Sequence, residues 1–186
     1  NFSRLKTCKD QINRSHPTQD TTICVLPGDF VAPSLLSSLD KGASMVACMN
    51  HMVDFVCFGN HESDIPLAHL HSRIQESCFT WVNTNMPDLP LAEDMEPLPQ
   101  YKIIEIEGRE PGHTRRIALL GLCTDDRGVM KPGAFGECEI EPVAECGAKW
   151  YKYLVDVEKV DCVIPMTHQL IAEDRLMAEG KVGYPI

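Results

Sequence analysis

Apolar positions recur at helical spacing through Phe2, Leu5, Cys8 and Ile12, which predicts an amphipathic helix ended by Ser15-His16-Pro17. Thr22 to Leu26 is a β-branched run closed by Pro27-Gly28-Asp29, the pattern of a buried strand feeding a loop. From Lys41 to Met52 the residues Met45, Val46, Cys48, Met49 and Met52 share one broad face of a helix, and Asp54 to Phe58 follows as a second buried strand. A strand, a helix and a strand in that order predict a parallel unit. After Pro66 the pattern is helical to about Ser77, and Phe79 to Val82 is a short strand ending at Asn83-Thr84-Asn85. Met86 to Pro99 is a proline-rich acidic loop. Tyr101 to Glu107 alternates isoleucines with charges, Arg115 to Leu122 is more continuously apolar, and Pro111-Gly112 lies between them, so the pair predicts an antiparallel hairpin. Cys123 to Glu141 is a long irregular loop. Pro142 opens a helix to about Glu158, Val160 to Met166 is a third buried strand, and Leu170 to Glu179 is a last helix; Pro185-Ile186 has the character of a further strand start.

Three of these strands break off at residues with chemistry to offer. The central one runs from Asp54 to Phe58 and stops at Gly59-Asn60-His61-Glu62; the others stop at Gly28-Asp29 and at Thr167-His168-Gln169. In open α/β folds the carboxyl ends of parallel strands lie side by side and carry the ligands, so Asp29 and Asn60 are expected to converge although far apart in sequence. A carboxylate, a carboxamide and imidazoles form a mixed oxygen and nitrogen set suited to borderline divalent metals.

Composition narrows the chemistry. The chain has 186 residues and is 44% apolar, enough for one sizeable core. A net charge of -10 argues against a nucleic-acid footprint. Without a glycine-rich phosphate loop or a lysine and arginine cluster, an anionic substrate would need bound metal ions for its positive charge. The nine cysteines include Cys24, Cys57, Cys123 and Cys162 inside apolar runs and no Cys-X-X-Cys pair, a pattern of buried reduced thiols that favours a reducing, cytoplasmic setting. No apolar run approaches the roughly 20 residues of a membrane span.

With the three strand ends in view, the sequence resembles the calcineurin-like metallophosphoesterases, particularly their 5'-nucleotidase-like branch. Gly28-Asp29 is similar to that family's second motif, Gly59-Asn60-His61-Glu62 to its third and Thr167-His168-Gln169 to its fourth. Phe30, the stretch Pro33 to Ser38, Asn83-Thr84-Asn85, Gly121-Leu122, Pro132 to Gly136 and Asp174-Arg175 resemble the same branch. The resemblance implies an α/β sandwich of two facing sheets flanked by helices. It also implies two divalent ions, of manganese, zinc, iron, cobalt or magnesium, with Asp29 as the bridging carboxylate and Asn60 and His168 as ligands of the second ion. His61 would bind phosphate, and Asp64 would pair with it and fix its tautomer.

The family's first motif, Asp-X-His, does not precede Asp29, and its last, Gly-His-X-His, does not follow His168. Residues 1–186 are therefore expected to be one metallophosphoesterase domain, incomplete at both ends. Three functions are open: hydrolysis of a small phosphomonoester such as a nucleotide by a water activated between two ions, an inactive phosphoesterase-like module serving as an interaction or structural subunit, or phosphodiester hydrolysis with the same metals. In 5'-nucleotidases a separate C-terminal domain grips the base, and a full-length protein is expected to carry one. His51, His69 and His71 are expected to be structural, and Asp125-Asp126 to serve the loop or cap a helix, with lining of the site as the lesser alternative.

Overall fold

A computed structural model describes residues 2–15, 22–107 and 112–181. It holds two three-stranded sheets. In the first, β1 (Val25–Pro27), β2 (Phe55–Cys57) and β3 (Thr80–Trp81) run parallel in that order. In the second, β4 (Tyr101–Glu107) pairs antiparallel with β5 (Thr114–Cys123), and β6 (Cys162–His168) joins the other side of β5 in parallel.

Side chains alternate across each strand and so define the layers. Val56 and Trp81 pack with Val46, Met49 and Leu70, beneath α3 (Ala43–Met49) and α4 (Leu67–Glu76). Their neighbours Phe55, Cys57 and Val82 turn the other way and meet Leu119 and Met166 of the second sheet. Ala118, Leu120 and Leu122 face Val143, Cys146 and Leu154 of α5 (Val143–Asp156), and Met177 of α6 (Ile171–Ala178) closes that side. The result is helices, sheet, sheet and helices, the sandwich expected from the resemblance.

Between the sheets the approach is close. A Cβ at Gly121 would lie 2.1 Å from the Val82 carbonyl oxygen, so only glycine fits there. Asn83 to Asn85 stitches the sheets at this level. The Gly121 N–H donates to Thr84 Oγ1 at 2.8 Å, the Cys123 N–H donates to Asn85 Oδ1 at 2.9 Å, and the Asn85 amide donates to the Cys123 and Glu141 carbonyls.

Several boundaries differ from expectation. The helix predicted over Lys41 to Met52 is shorter, because Gly42 at φ 84° caps it. A separate helix, α2 (Leu35–Asp40), precedes it, with Ser34 and Ser37 bonding reciprocally at its start. β6 runs on to His168, since its pairing with β5 continues to the Cys123–His168 level. α1 (Phe2–Ser15) buries no residue completely; Lys9 fastens it to Asp54 and to the Met52 carbonyl. The hairpin strands pair as predicted, but Pro111 and the strand start at Pro185-Ile186 lie outside the described residues.

All nine cysteines are free thiols, yet the expectation that they are mostly buried needs correction. Cys57, Cys123, Cys138 and Cys146 are buried, and burial pushes the Cys146 thiol up to about 12. Cys162 is exposed at the start of an edge strand, and Cys24 is only half-buried. Among the described residues no helix is long and apolar enough to cross a membrane.

Candidate metal centre

The turn after β1 reverses over Gly28 and Asp29, both in the left-handed region at φ 80° and 57°. A Cβ at Gly28 would lie 2.3 Å from the Gly59 nitrogen, and one at Gly59 would lie 2.3 Å from Asp29 Oδ1. The two strand ends therefore touch through glycine backbone. Asp29 has a Cβ and adopts this conformation at a cost of about 1 kcal/mol, and its carboxylate reaches across to the other strand ends. Oδ1 accepts the His61 N–H at 2.9 Å, and Oδ2 is 3.2 Å from His168 Nε2.

His168 ends β6 on the same face as Met166, turned toward the first sheet. Its Nδ1 is 2.7 Å from the Pro27 carbonyl oxygen, which can only accept, so the ring hydrogen sits on Nδ1. Nε2 then faces Asp29 Oδ2 and Asn60 Oδ1, each at 3.2 Å. The Asn60 amide nitrogen donates to the Val129 carbonyl at 3.1 Å, which turns Oδ1 toward the histidine. Three lone-pair-bearing atoms thus converge, and a positive charge at their centre, proton or metal cation, relieves their repulsion. The donor set fits a borderline divalent metal. Among the described residues no three His, Cys, Asp or Glu side chains are arranged to hold an ion; in this cluster the third donor is a carboxamide.

Asn60 to Asp64 forms one 3-10 turn that delivers the neighbouring groups. His61 Nδ1 is 2.8 Å from Asp64 Oδ2, and Lys131 Nζ is 2.9 Å from Asp64 Oδ1. Burial alone would raise the Asp64 carboxyl, but hydrogen bonds from Lys131 and His61 outweigh it and hold the group below its ordinary value. Glu62, to which the sequence reading attached no role, is completely buried beneath the two strand ends. Its carboxylate accepts the N–H groups of Asp29, Phe30, Val31 and Gly59 at 2.7 to 3.1 Å. Burial raises its carboxyl above the ordinary range against the pull of the four donors; two N–H groups on each oxygen are the arrangement that suits an ionised carboxylate.

Comparison with solved structures identifies the fold. A 5'-nucleotidase precursor from Thermus thermophilus matches with TM-score 0.74 and 18% identity over 95% of this chain and 33% of its own. The Haemophilus influenzae NAD nucleotidase NadN matches at 0.73 and 18%, over 92% and 33%. The calcineurin-like phosphoesterase YfkN from Bacillus subtilis matches at 0.63 and 16%, over 90% and 54%. The chain has the calcineurin-like phosphoesterase fold. It spans about a third of the two nucleotidases and about half of the phosphoesterase. No family model and no curated protein matches the sequence.

On this calcineurin-like fold the long loop after β5 forms one wall of the site. Asp126 caps a short 3-10 turn by accepting the Gly128 N–H at 2.8 Å, and also lines a cleft of about 140 Å³ with Asn60, His168, Thr124 and Glu173. Both its loop role and its place in the cleft are among the readings expected for it. Lys131 and Asp64 border a second cavity, of about 300 Å³, closed by Leu70 and Phe135. Thr167 and Gln169, flanking His168, both donate to Asp174 Oδ1, at 2.7 and 2.9 Å, and so fix the start of α6 beneath the β6 end. His71 contacts the Pro90 carbonyl, away from the centre.

Proposed function

We propose that this chain is the metal-binding core of a phosphoester hydrolase acting on a phosphomonoester such as a nucleotide. The observation that carries the reading is the convergence of Asp29 Oδ2, Asn60 Oδ1 and His168 Nε2 at strand ends from both sheets, with the histidine hydrogen committed to Pro27 on the far side. Asp29, Asn60 and His168 would hold a divalent ion, with Asp29 free to bridge to a second. When bound, such ions would supply Lewis-acid charge to a phosphoryl group and ease deprotonation of a water. His61 gives its Nδ1 hydrogen to Asp64, which leaves Nε2 to donate to a phosphoryl oxygen when the ring carries both hydrogens. Lys131 steadies the same carboxylate. The nucleotidase names among the structural neighbours favour a nucleotide substrate.

Titration of the purified chain with Mn²⁺, followed by assay against a panel of nucleoside monophosphates and simple phosphoesters, tests the proposal. Stoichiometric Mn²⁺ binding that Asp29→Asn weakens at least tenfold supports it, and an affinity unmoved by Asp29→Asn would overturn the assignment of that residue. A second reading, an inactive module serving as an interaction subunit, is favoured by the want of three His, Cys, Asp or Glu ligands among the described residues. Tight Mn²⁺ binding with no turnover of any phosphoester would select it.

A further inference from the structure

We propose that Glu62 is a positioning residue for the metal centre: its buried carboxylate holds Asp29 in the left-handed conformation that aims the Asp29 side chain at His168 and Asn60. The inference rests on the reading of Asp29, Asn60 and His168 as ligands.

Four backbone N–H groups from two strand ends point into one place. Those of Asp29, Phe30 and Val31 are consecutive, and the fourth belongs to Gly59 across the seam. Such a concavity of parallel N–H dipoles is an anion-binding nest. Here the anion is supplied by the chain itself. Glu62 Oε1 takes Phe30 and Val31 at 2.8 and 3.1 Å, and Oε2 takes Asp29 and Gly59, both at 2.7 Å. Without the carboxylate the four dipoles would oppose one another, and the β1 turn would have no reason to keep a non-glycine residue at φ 57°. Released from that conformation, Asp29 no longer aims at the centre, because its Cα–Cβ direction follows its backbone.

The two oxygens divide the work. Oε2 bridges the ends of β1 and β2, setting the spacing between Asp29 and the Asn60 turn, and Oε1 fixes the two residues that lead away from the loop. Glu62 lies in the same 3-10 turn as Asn60 and His61, so one short segment carries a ligand, the phosphate-facing imidazole and the group that sets the third member. Glu62 itself is 0% exposed and touches no substrate.

The test compares the full chain with Glu62→Gln and Glu62→Asp. Glutamine keeps the shape but turns an N–H₂ toward two of the four donors; aspartate keeps the charge on an arm too short to span both strand ends. Two properties are read at a temperature where each variant is folded: the Asp29 backbone conformation, from a crystal structure or from the amide resonances of Asp29, Phe30, Val31 and Gly59, and the Mn²⁺ affinity by calorimetry. Asp29 is expected to leave the left-handed region in Glu62→Gln, with Mn²⁺ affinity down about 10- to 100-fold, the usual effect of losing a group that orients a ligand. Glu62→Asp is expected to fall between, and decides the matter where the glutamine variant does not fold. A variant with lower thermal stability but with Asp29 still near its present φ and Mn²⁺ affinity within twofold of wild type would overturn the proposal. If the wild-type chain itself takes no Mn²⁺, the metal reading falls, and the Asp29 conformation in the variants still decides the role of Glu62.

Discussion

At Asp64 one carboxylate serves two bases. Lys131 holds Oδ1 and His61 holds Oδ2, and the side chain is 10% exposed. Because these bonds keep the folded-state value below the ordinary 3.8, the group adds stability at any pH above that value and loses it as the pH falls through the lowered one. Asp64→Asn is therefore expected to flatten the acid limb of the stability curve below about pH 4, read from urea unfolding of both proteins; parallel acid limbs would show that the pair contributes nothing. The site's polar residues were legible in the sequence because each interrupts an apolar run. Asp29, Asn60, His61 and His168 all announce themselves in that way, and Asp64 follows three places after the histidine. The role of Glu62 and the presence of Lys131 were not. The role of Glu62 depends on N–H groups some thirty residues away, and Lys131 lies in a loop whose path no periodicity records.

Among elements, the strands were the most readable and the short helices the least. β2 and β3 are largely buried and read as apolar runs; β1 reads the same way, but it is an edge strand and partly exposed rather than buried as expected. α2 was missed because Leu35 and Leu39 are 86% and 78% exposed, so its apolar residues mark no inner face. The close contact between the sheets is likewise invisible in a pattern of hydrophobicity, being a matter of what Gly121 lacks. Gly121→Ala is expected to destabilise the protein by about 1–3 kcal/mol, since the added methyl meets a backbone carbonyl rather than a flexible side chain. Chemical denaturation measures it, and a variant as stable as wild type would mean that the sheets can separate freely at this level.

For the whole molecule the decisive point is where the proposed ligands come from. Asp29 and Asn60 follow strands of the first sheet and His168 ends a strand of the second, so an ion held by all three would link the two halves of the sandwich. Binding to the folded state alone stabilises by about 2.7 kcal/mol at a hundredfold excess over Kd, which for a chain of this length is roughly 5–10 °C in Tm. Calorimetry with Mn²⁺ and then with excess EDTA reads that shift, and a Tm indifferent to both would rule out the link. A net charge of -10 makes local cations such as Lys131 matter for any anionic substrate.

The bond from His168 Nδ1 to the Pro27 carbonyl crosses the same divide without any ion. Chelation would therefore not let the halves drift apart: beyond the bonds at the Gly121 level, this one bond still latches the end that carries the site, and the strand ends can open and reclose about it. In hydrogen exchange the amides of Gly28, Asp29 and Gly59 should then lose protection together, as one small cooperative unit, while those at the Gly121 level stay slow.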